Sequence, residues 1–244
     1  MERYGDKCKR WKVVCAGHFS PSPDVNKLQP QFNLLMKTVV IDSPDLVHAW
    51  LTMPDSLYAD DSNYIPHIRQ DVAGIFDPSK NRLFSVGRAQ RWLLMGDDNK
   101  PIGRIAAFFN PKYSDAQAQS TGGIGFFECI HDEQASQLLL DTACQWLWDY
   151  GVAAIDGPIN FGEKEAYWGL LIENFKDMGS FRMNYHLPYY RSLFEAYGFR
   201  MYYEQLCYKR DLLVPAQEVF ARKSQQLLQD SSFRVTNARG RSLE

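Results

Sequence analysis

Long apolar stretches are missing from this sequence: no run approaches the ~18 consecutive apolar residues that a membrane-spanning helix needs. Also missing is an N-terminal apolar segment followed by a small-residue cleavage site, so nothing reads as a secretory signal and the expected location is the cytoplasm. Charge of one sign is scarce. The 27 Lys and Arg against 29 Asp and Glu leave a formal net charge of −2, so no global field draws the chain to a phosphate backbone. Binding to nucleic acid is therefore not expected.

Cysteines are few and odd in number (Cys8, Cys15, Cys129, Cys144 and Cys207), with no pair at metal-ligand spacing. They read as free thiols of a reducing compartment. Cys129 and Cys144 sit inside apolar patterns and read as small buried hydrophobes. His48 and His67 read as helix-surface residues without ligand companions, and no metal site is expected. There is no low-complexity tract and no internal repeat.

What is present is a globular composition, 45% hydrophobic and 14% aromatic, over a length that suits one elaborated α/β domain. Residues 1–35 mix basic residues with the loop SPSPDVNKLQPQ and show no period. Met36 then opens MKTVVIDS, a strand start. The expectation is an N-terminal extension over 1–35, with the folded unit beginning at Met36.

From there the pattern is readable. KTVVI (37–41) is β-branched and strand-like, and Ser43-Pro44 is an N-cap with proline at the first helical position. That helix carries Leu46, Val47, Trp50 and Leu51 on one face and is expected to stop at Pro54. A second short helix is expected over 66–76. QRWLLM (90–95) and IGRIAAFF (102–109) flank the turn cluster GDDNKP, giving a hairpin. After a polar loop over 110–123, residues 125–130 add a third meander strand. The period then changes: Ala135, Leu138, Leu139, Thr142, Ala143, Trp146, Leu147 and Tyr150 keep helical spacing, with Asp132 as N-cap and Gly151 as stop. A strand over 153–159, an excursion over 160–187, a helix over 188–197 closed by Gly198, a strand over 199–209 and a helix over 215–229 follow. The order β-α-α-β-β-β-α-β-α-β reads as α/β, a mixed sheet with helices on both faces.

Several strings carry a resemblance: NYIPHIRQDVAGIFDPSKN (63–81), GRIAAFFN (103–110), GFFECIHD (125–132), DGPINF (156–161), GLLIENF (169–175) and LPYYRSLFEAYGF (187–199). With the element order, they resemble the GNAT-type acyl-CoA N-acyltransferase superfamily over about residues 37–210, within it a bacterial N-acetyltransferase-like branch with no assigned substrate. The resemblance implies a GNAT-like fold over 36–212, a central mostly antiparallel sheet flanked by helices. It implies that 213–244 are a linker helix and the truncated start of a second domain. The implied activity is transfer of an acyl group from acetyl-CoA, or a similar thioester, to an amine on a small molecule or peptide.

In such a site two neighbouring strands splay, pantetheine pairs in the gap, and the pyrophosphate rests on free N–H groups at the next helix N-terminus. That implies Ile130, His131, Gln134, Ala135 and Ser136 as cofactor-binding residues. The family loop [Q/R]-x-x-G-x-[G/A] departs here: its glycine positions hold Gln134 and Ser136. Asp132 and Glu133 add negative charge, and Asp132 competes with a ligand as a cap. The family tyrosine of Y-x-x-x-G-F is Phe194, which carries no transferable proton; Tyr189 and Tyr190 on the same helix are the substitutes. Glu128 is the candidate general base, a mid-strand carboxylate beside aromatics whose pKa burial would raise. A plain pairing of Glu128 with Arg104 stays equally open. Asn160, Glu163, Glu165 and Trp168 are the candidate substrate-binding residues, since acids with aromatics suit an amine; a solvated loop with the tryptophan tucked into the core also stays open. His186 lies near the proposed cleft. Two alternatives remain: a Fem-type aminoacyl-tRNA-dependent transferase, which wants a basic stripe for tRNA phosphates, and a catalytically silent GNAT-like binding or sensor module.

Overall fold

The computed structural model describes residues 8–15, 36–117, 119–210, 213 and 218–232. The chain divides into two units, one of residues 10–207 and one of 1–9 with 208–244. In the larger unit a five-stranded sheet runs in the order β2-β3-β4-β5-β6. Its strands are β2 (Lys37–Val40), β3 (Arg88–Met95), β4 (Pro101–Phe109), β5 (Thr121–Cys129) and β6 (Ala154–Asp156). The first four pair antiparallel and β6 joins β5 in parallel, the crossover being helix α4 (Glu133–Trp148). The protein is thus mixed α/β, with a mostly antiparallel sheet flanked by helices.

Helices α1 (Pro44–Leu57) and α2 (Arg69–Ile75) contribute Trp50, Met53 and Val72 to a core against Leu93, Ala106, Phe108 and Phe126. On the other face α4 and α5 (Tyr190–Tyr197) contribute Leu139, Leu140, Leu147, Leu193 and Phe194 against Ile105, Ile124, Phe127 and Cys129. The α4 N-terminus forms where its sequence says: Asp132 accepts the Ala135 N–H at 2.7 Å. Gly198 ends α5 at φ 116°, a left-handed cap that suits glycine.

Pro54 does not stop α1. It sits inside the helix, which runs on to Leu57. Proline removes the bond to the carbonyl four residues earlier and crowds it with its ring; that carbonyl is here Trp50, and Arg104 Nη1 donates to it at 2.9 Å instead. A side chain from the sheet thus replaces the missing helical donor.

Other boundaries move for local reasons. The second helix covers Arg69–Ile75 rather than 66–76, so His67 precedes it rather than lying on it. The expected polar loop over 110–123 holds α3 (Pro111–Asp115), capped by Asn110, whose side chain accepts the Lys112 N–H; β5 already begins at Thr121. Strand β6 stops at Asp156, before Gly157-Pro158. The excursion 160–187 contains β7 (Leu170–Leu171), and the last strand expected over 199–209 is β8 (Tyr203–Arg210). Of the expected extension 1–35, Cys8–Cys15 form β1, which pairs antiparallel with β7 through Val13↔Leu171. A second, three-stranded sheet is ordered β7-β1-β8. Residues 1–7 and 16–35 lie outside the described residues. In the second unit α6 (Glu218–Gln229) matches the helix expected over 215–229 and buries none of its residues; 233–244 lie outside the described residues.

One irregularity positions the chemistry. Arg104 pairs with Glu128 and Ala106 with Gly125, so β5 holds one residue more than β4 between them. Phe126 accommodates this bulge at φ 50°. Strict alternation would place Glu128 on the Ile124 face, under α4. The extra residue moves Phe126 and Glu128 to the α1 side, and Phe127 and Cys129 to the α4 side.

Candidate active site

Glu128 is 7% exposed. Its Oε2 accepts hydrogen bonds from Tyr58 at 2.8 Å and Tyr190 at 2.7 Å. Arg104 Nη2 lies 3.6 Å from Oε1. Tyr58 is the residue that caps the C-terminus of α1 and Tyr190 opens α5. The carboxylate is therefore held by elements from both sides of the sheet and by its own neighbour strand.

Burial raises the Glu128 carboxyl above its ordinary range, against the pull of Arg104 and the two hydroxyls. Burial and then the Glu128 charge push Tyr58 and Tyr190 well above the ordinary tyrosine range, so both stay protonated donors. Both readings of Glu128 meet here: it is desolvated, and Arg104 is its ion-pair partner. Arg104 also stacks over the Trp50 ring at 4.5 Å, while its Nε, buried, has no partner.

Next to this cluster, the β5–β6 pairing ends. Its last register pair is Gly123↔Asp156. The chain then crosses β5: Ile159 N–H donates to the Ile124 carbonyl at 2.7 Å. Its carbonyl oxygen lies 1.7 Å from where a Cβ on Gly125 would sit, so only glycine allows the crossing. Beyond it, among the described residues, the edge of β5 has no strand partner on this side. Both backbone groups of Cys129 are nevertheless satisfied: its N–H donates to the Tyr190 hydroxyl at 3.2 Å, and Tyr189 donates to its carbonyl at 2.7 Å.

The five residues implied for a cofactor pyrophosphate fare unevenly. Ile130 N–H donates to Ile102, and its carbonyl accepts the Asp132 N–H. His131 stacks on Tyr189, with ring centroids 4.3 Å apart. Gln134 is exposed, whereas Ala135 and Ser136 are buried. The Ala135 N–H is taken by Asp132. A pyrophosphate would find two carboxylates, one helix donor already used, and the strand edge closed by tyrosines. These residues do not fit the family's grip on acetyl-CoA.

The four expected substrate residues lie elsewhere. Asn160 and Trp168 line a cleft of about 790 Å³ whose floor includes Gly122 and Gly123, at the start of β5. Glu128 is five residues further along that strand, roughly 17 Å at the usual rise. Asn160 and Glu163 also line a second cavity of about 340 Å³. Glu163 sits 3.7 Å from Arg182, which pairs with Asp71 at 2.9 Å. Asn160 donates to the Glu163 and Ala166 carbonyls, and its Oδ1 has no partner. Glu165 is exposed. The structure thus brings Glu128, Tyr189 and Tyr190 together and places Asn160 and Trp168 in a separate cleft.

Sequence reasoning missed Tyr58, which reaches Glu128 across a separation of 70 residues. It also missed Lys164, between the two acids it singled out. His67 is half-buried and edge-on to Tyr167, and burial lowers its pKa to about 4. His186 is buried, accepts the Leu171 N–H at Nδ1, and is lowered to about 3 for the same reason. Among the described residues no group of three His, Cys, Asp or Glu is arranged to hold a metal, and no helix is long and apolar enough to cross a membrane.

No family model matches the sequence, and no solved structure matches it significantly. The chain is similar to Protein YghO of Escherichia coli (strain K12), 28% identical over 154 residues, which is 62% of this chain and 38% of that protein. The chain therefore matches well under half the length of this relative.

Proposed function

We propose that the chain contains a GNAT-like domain that keeps the acyltransferase frame with a closed donor slot, and that it works as a small-molecule binding module. The frame is supported by the antiparallel β2–β5 meander, the parallel β6 reached through α4, the bulge in β5 and the parting of β5 from β6. The observation that carries the closed slot is the double use of Cys129. The backbone groups that a pantetheine arm would pair with are held by Tyr189 and Tyr190. Leaving a buried amide unpaired costs about 1–3 kcal/mol, so these hydroxyls are not displaced without replacement. The 790 Å³ cleft is the place for a ligand.

A second reading, N-acyl transfer to an amine, has its own observation in favour. Glu128 is a desolvated carboxylate with a raised pKa, joined to Tyr190 at 2.7 Å. In that reading Glu128 takes the amine proton through the Tyr190 hydroxyl, which passes its own proton on as it accepts the incoming one. The α5 tyrosines would first have to leave Cys129.

The test is thiol release from acetyl-CoA with a panel of primary amines, using wild type and Glu128→Gln. The module reading expects no amine-dependent thiol release from either protein. Release that Glu128→Gln abolishes would overturn it in favour of acyl transfer.

A further inference from the structure

The large cleft carries a feature that neither the frame nor the Glu128 cluster uses. Trp168 and Tyr203 meet at a tilt, with ring centroids 6.1 Å apart and their planes 59° from parallel. The ammonium of Lys164 sits over both, 5.1 Å from Trp168 and 5.4 Å from Tyr203. Both distances lie inside the range at which a ring face attracts a cation. All three residues line the cleft, and its charged lining residues, among those described, are Lys164 and Asp156.

We propose that this aromatic pair is a ligand site for an organic ammonium ion with an apolar body, and that Lys164 is its built-in placeholder. Lys164 is exposed, so its side chain can swing into water at little cost while an incoming cation takes its place over the two rings. Asp156 lines the same cleft. Asp156 accepts a hydrogen bond from Tyr113 at 3.3 Å, and burial with the Asp156 charge pushes Tyr113 up to about 12, so this donor keeps its proton. A carboxylate in the lining favours a cation over an anion. The apolar body has its own surface: Phe108 and Phe161 stack in parallel at 5.8 Å and line the same cleft.

The opposite chemistry, an anion held by Lys164, predicts the opposite effect when the lysine is removed. This makes the sign of one substitution decisive. The inference names the ligand class for the cleft of the module reading and requires no acyl donor. Binding of acetyl-CoA would overturn the closed slot and leave this site standing; failure of the cation test would do the reverse.

The experiment is calorimetric titration of the full chain with benzyltrimethylammonium, and with phenylacetate as the anionic counterpart. Wild type should bind the cation more tightly than the anion. Lys164→Ala should tighten cation binding about two- to fivefold, the worth of the exposed ring contact it gives up. Tyr203→Ala and Trp168→Ala should each weaken it several-fold. Tyr203 is 50% exposed, so its variant tests the site even if loss of Trp168 disturbs folding. Preference for phenylacetate, weaker cation binding in Lys164→Ala, indifference to Tyr203→Ala, or no cation binding at millimolar concentration would each overturn the proposal.

Discussion

The carbonyl of Trp50, which Pro54 leaves without its helical N–H, accepts the Nη1 proton of Arg104 at 2.9 Å. One proline in α1 thereby anchors the guanidinium that faces Glu128 from the neighbouring strand. Arg104→Met should destabilise the protein by about 3–5 kcal/mol in urea unfolding, since it leaves a buried carboxylate without its cation. Pro54→Ala in that background should recover up to about 1 kcal/mol by returning an N–H to the Trp50 carbonyl. Additive effects of the two substitutions would show that Arg104 and the carbonyl are not coupled.

Glu128 has a raised folded pKa. The native state therefore holds the Glu128 proton to higher pH than the unfolded chain does, and its contribution is fully present below the unfolded pKa. That stability is lost as pH rises through the folded pKa. Glu128→Gln should be close to wild type in stability at pH below about 4 and more stable above the folded pKa of Glu128. Urea unfolding across pH checks the divergence; parallel curves would contradict it.

The histidines run the other way. His67 and His186 have folded pKa values of about 4 and about 3. Each contributes stability that is complete above the ordinary histidine pKa and is lost as pH falls through the folded value. In an NMR titration neither ring should show a midpoint near 6.5. Protonation of His186 also removes the acceptor of the Leu171 N–H, so the protection of the Leu171 amide relative to its intrinsic exchange rate at the same pH should fall in acid.

Gly125 and Gly151 separate crowding from conformation. A Cβ at Gly125 would meet the Ile159 backbone, whereas one at Gly151 meets nothing within 4 Å, although its φ is 76°. Gly125→Ala should cost about 3 kcal/mol or more and loosen the β6 crossing. Gly151→Ala should cost only about 1 kcal/mol. Equal losses would contradict the close approach of Ile159.

What was legible in the sequence was what short-range chemistry dictates. Asp132 as the cap of α4, Gly198 as the end of α5 and the β3–β4 hairpin follow from neighbouring residues. The face of Glu128 was legible only in outline. Its desolvation and its Arg104 neighbour were foreseen, but the bulge at Phe126 leaves no local mark in a run of apolar residues. The Tyr58 and Tyr190 contacts join positions 70 and 62 residues away from Glu128, and no periodicity reports such a meeting. Pro54 misled for a related reason: what tolerates it is a side chain from another strand. In the excursion, attention to acids and tryptophan passed over Lys164, whose role depends on Tyr203 from a different element.

The closed donor slot is the central claim, and calorimetric titration of acetyl-CoA into the full chain tests it most directly, with dephospho-CoA as control. The Cys129 backbone held by Tyr189 and Tyr190, with Asp132 on the Ala135 N–H, predicts no heat of binding at millimolar ligand. Saturable micromolar binding of acetyl-CoA would contradict the account and show that the strand edge opens.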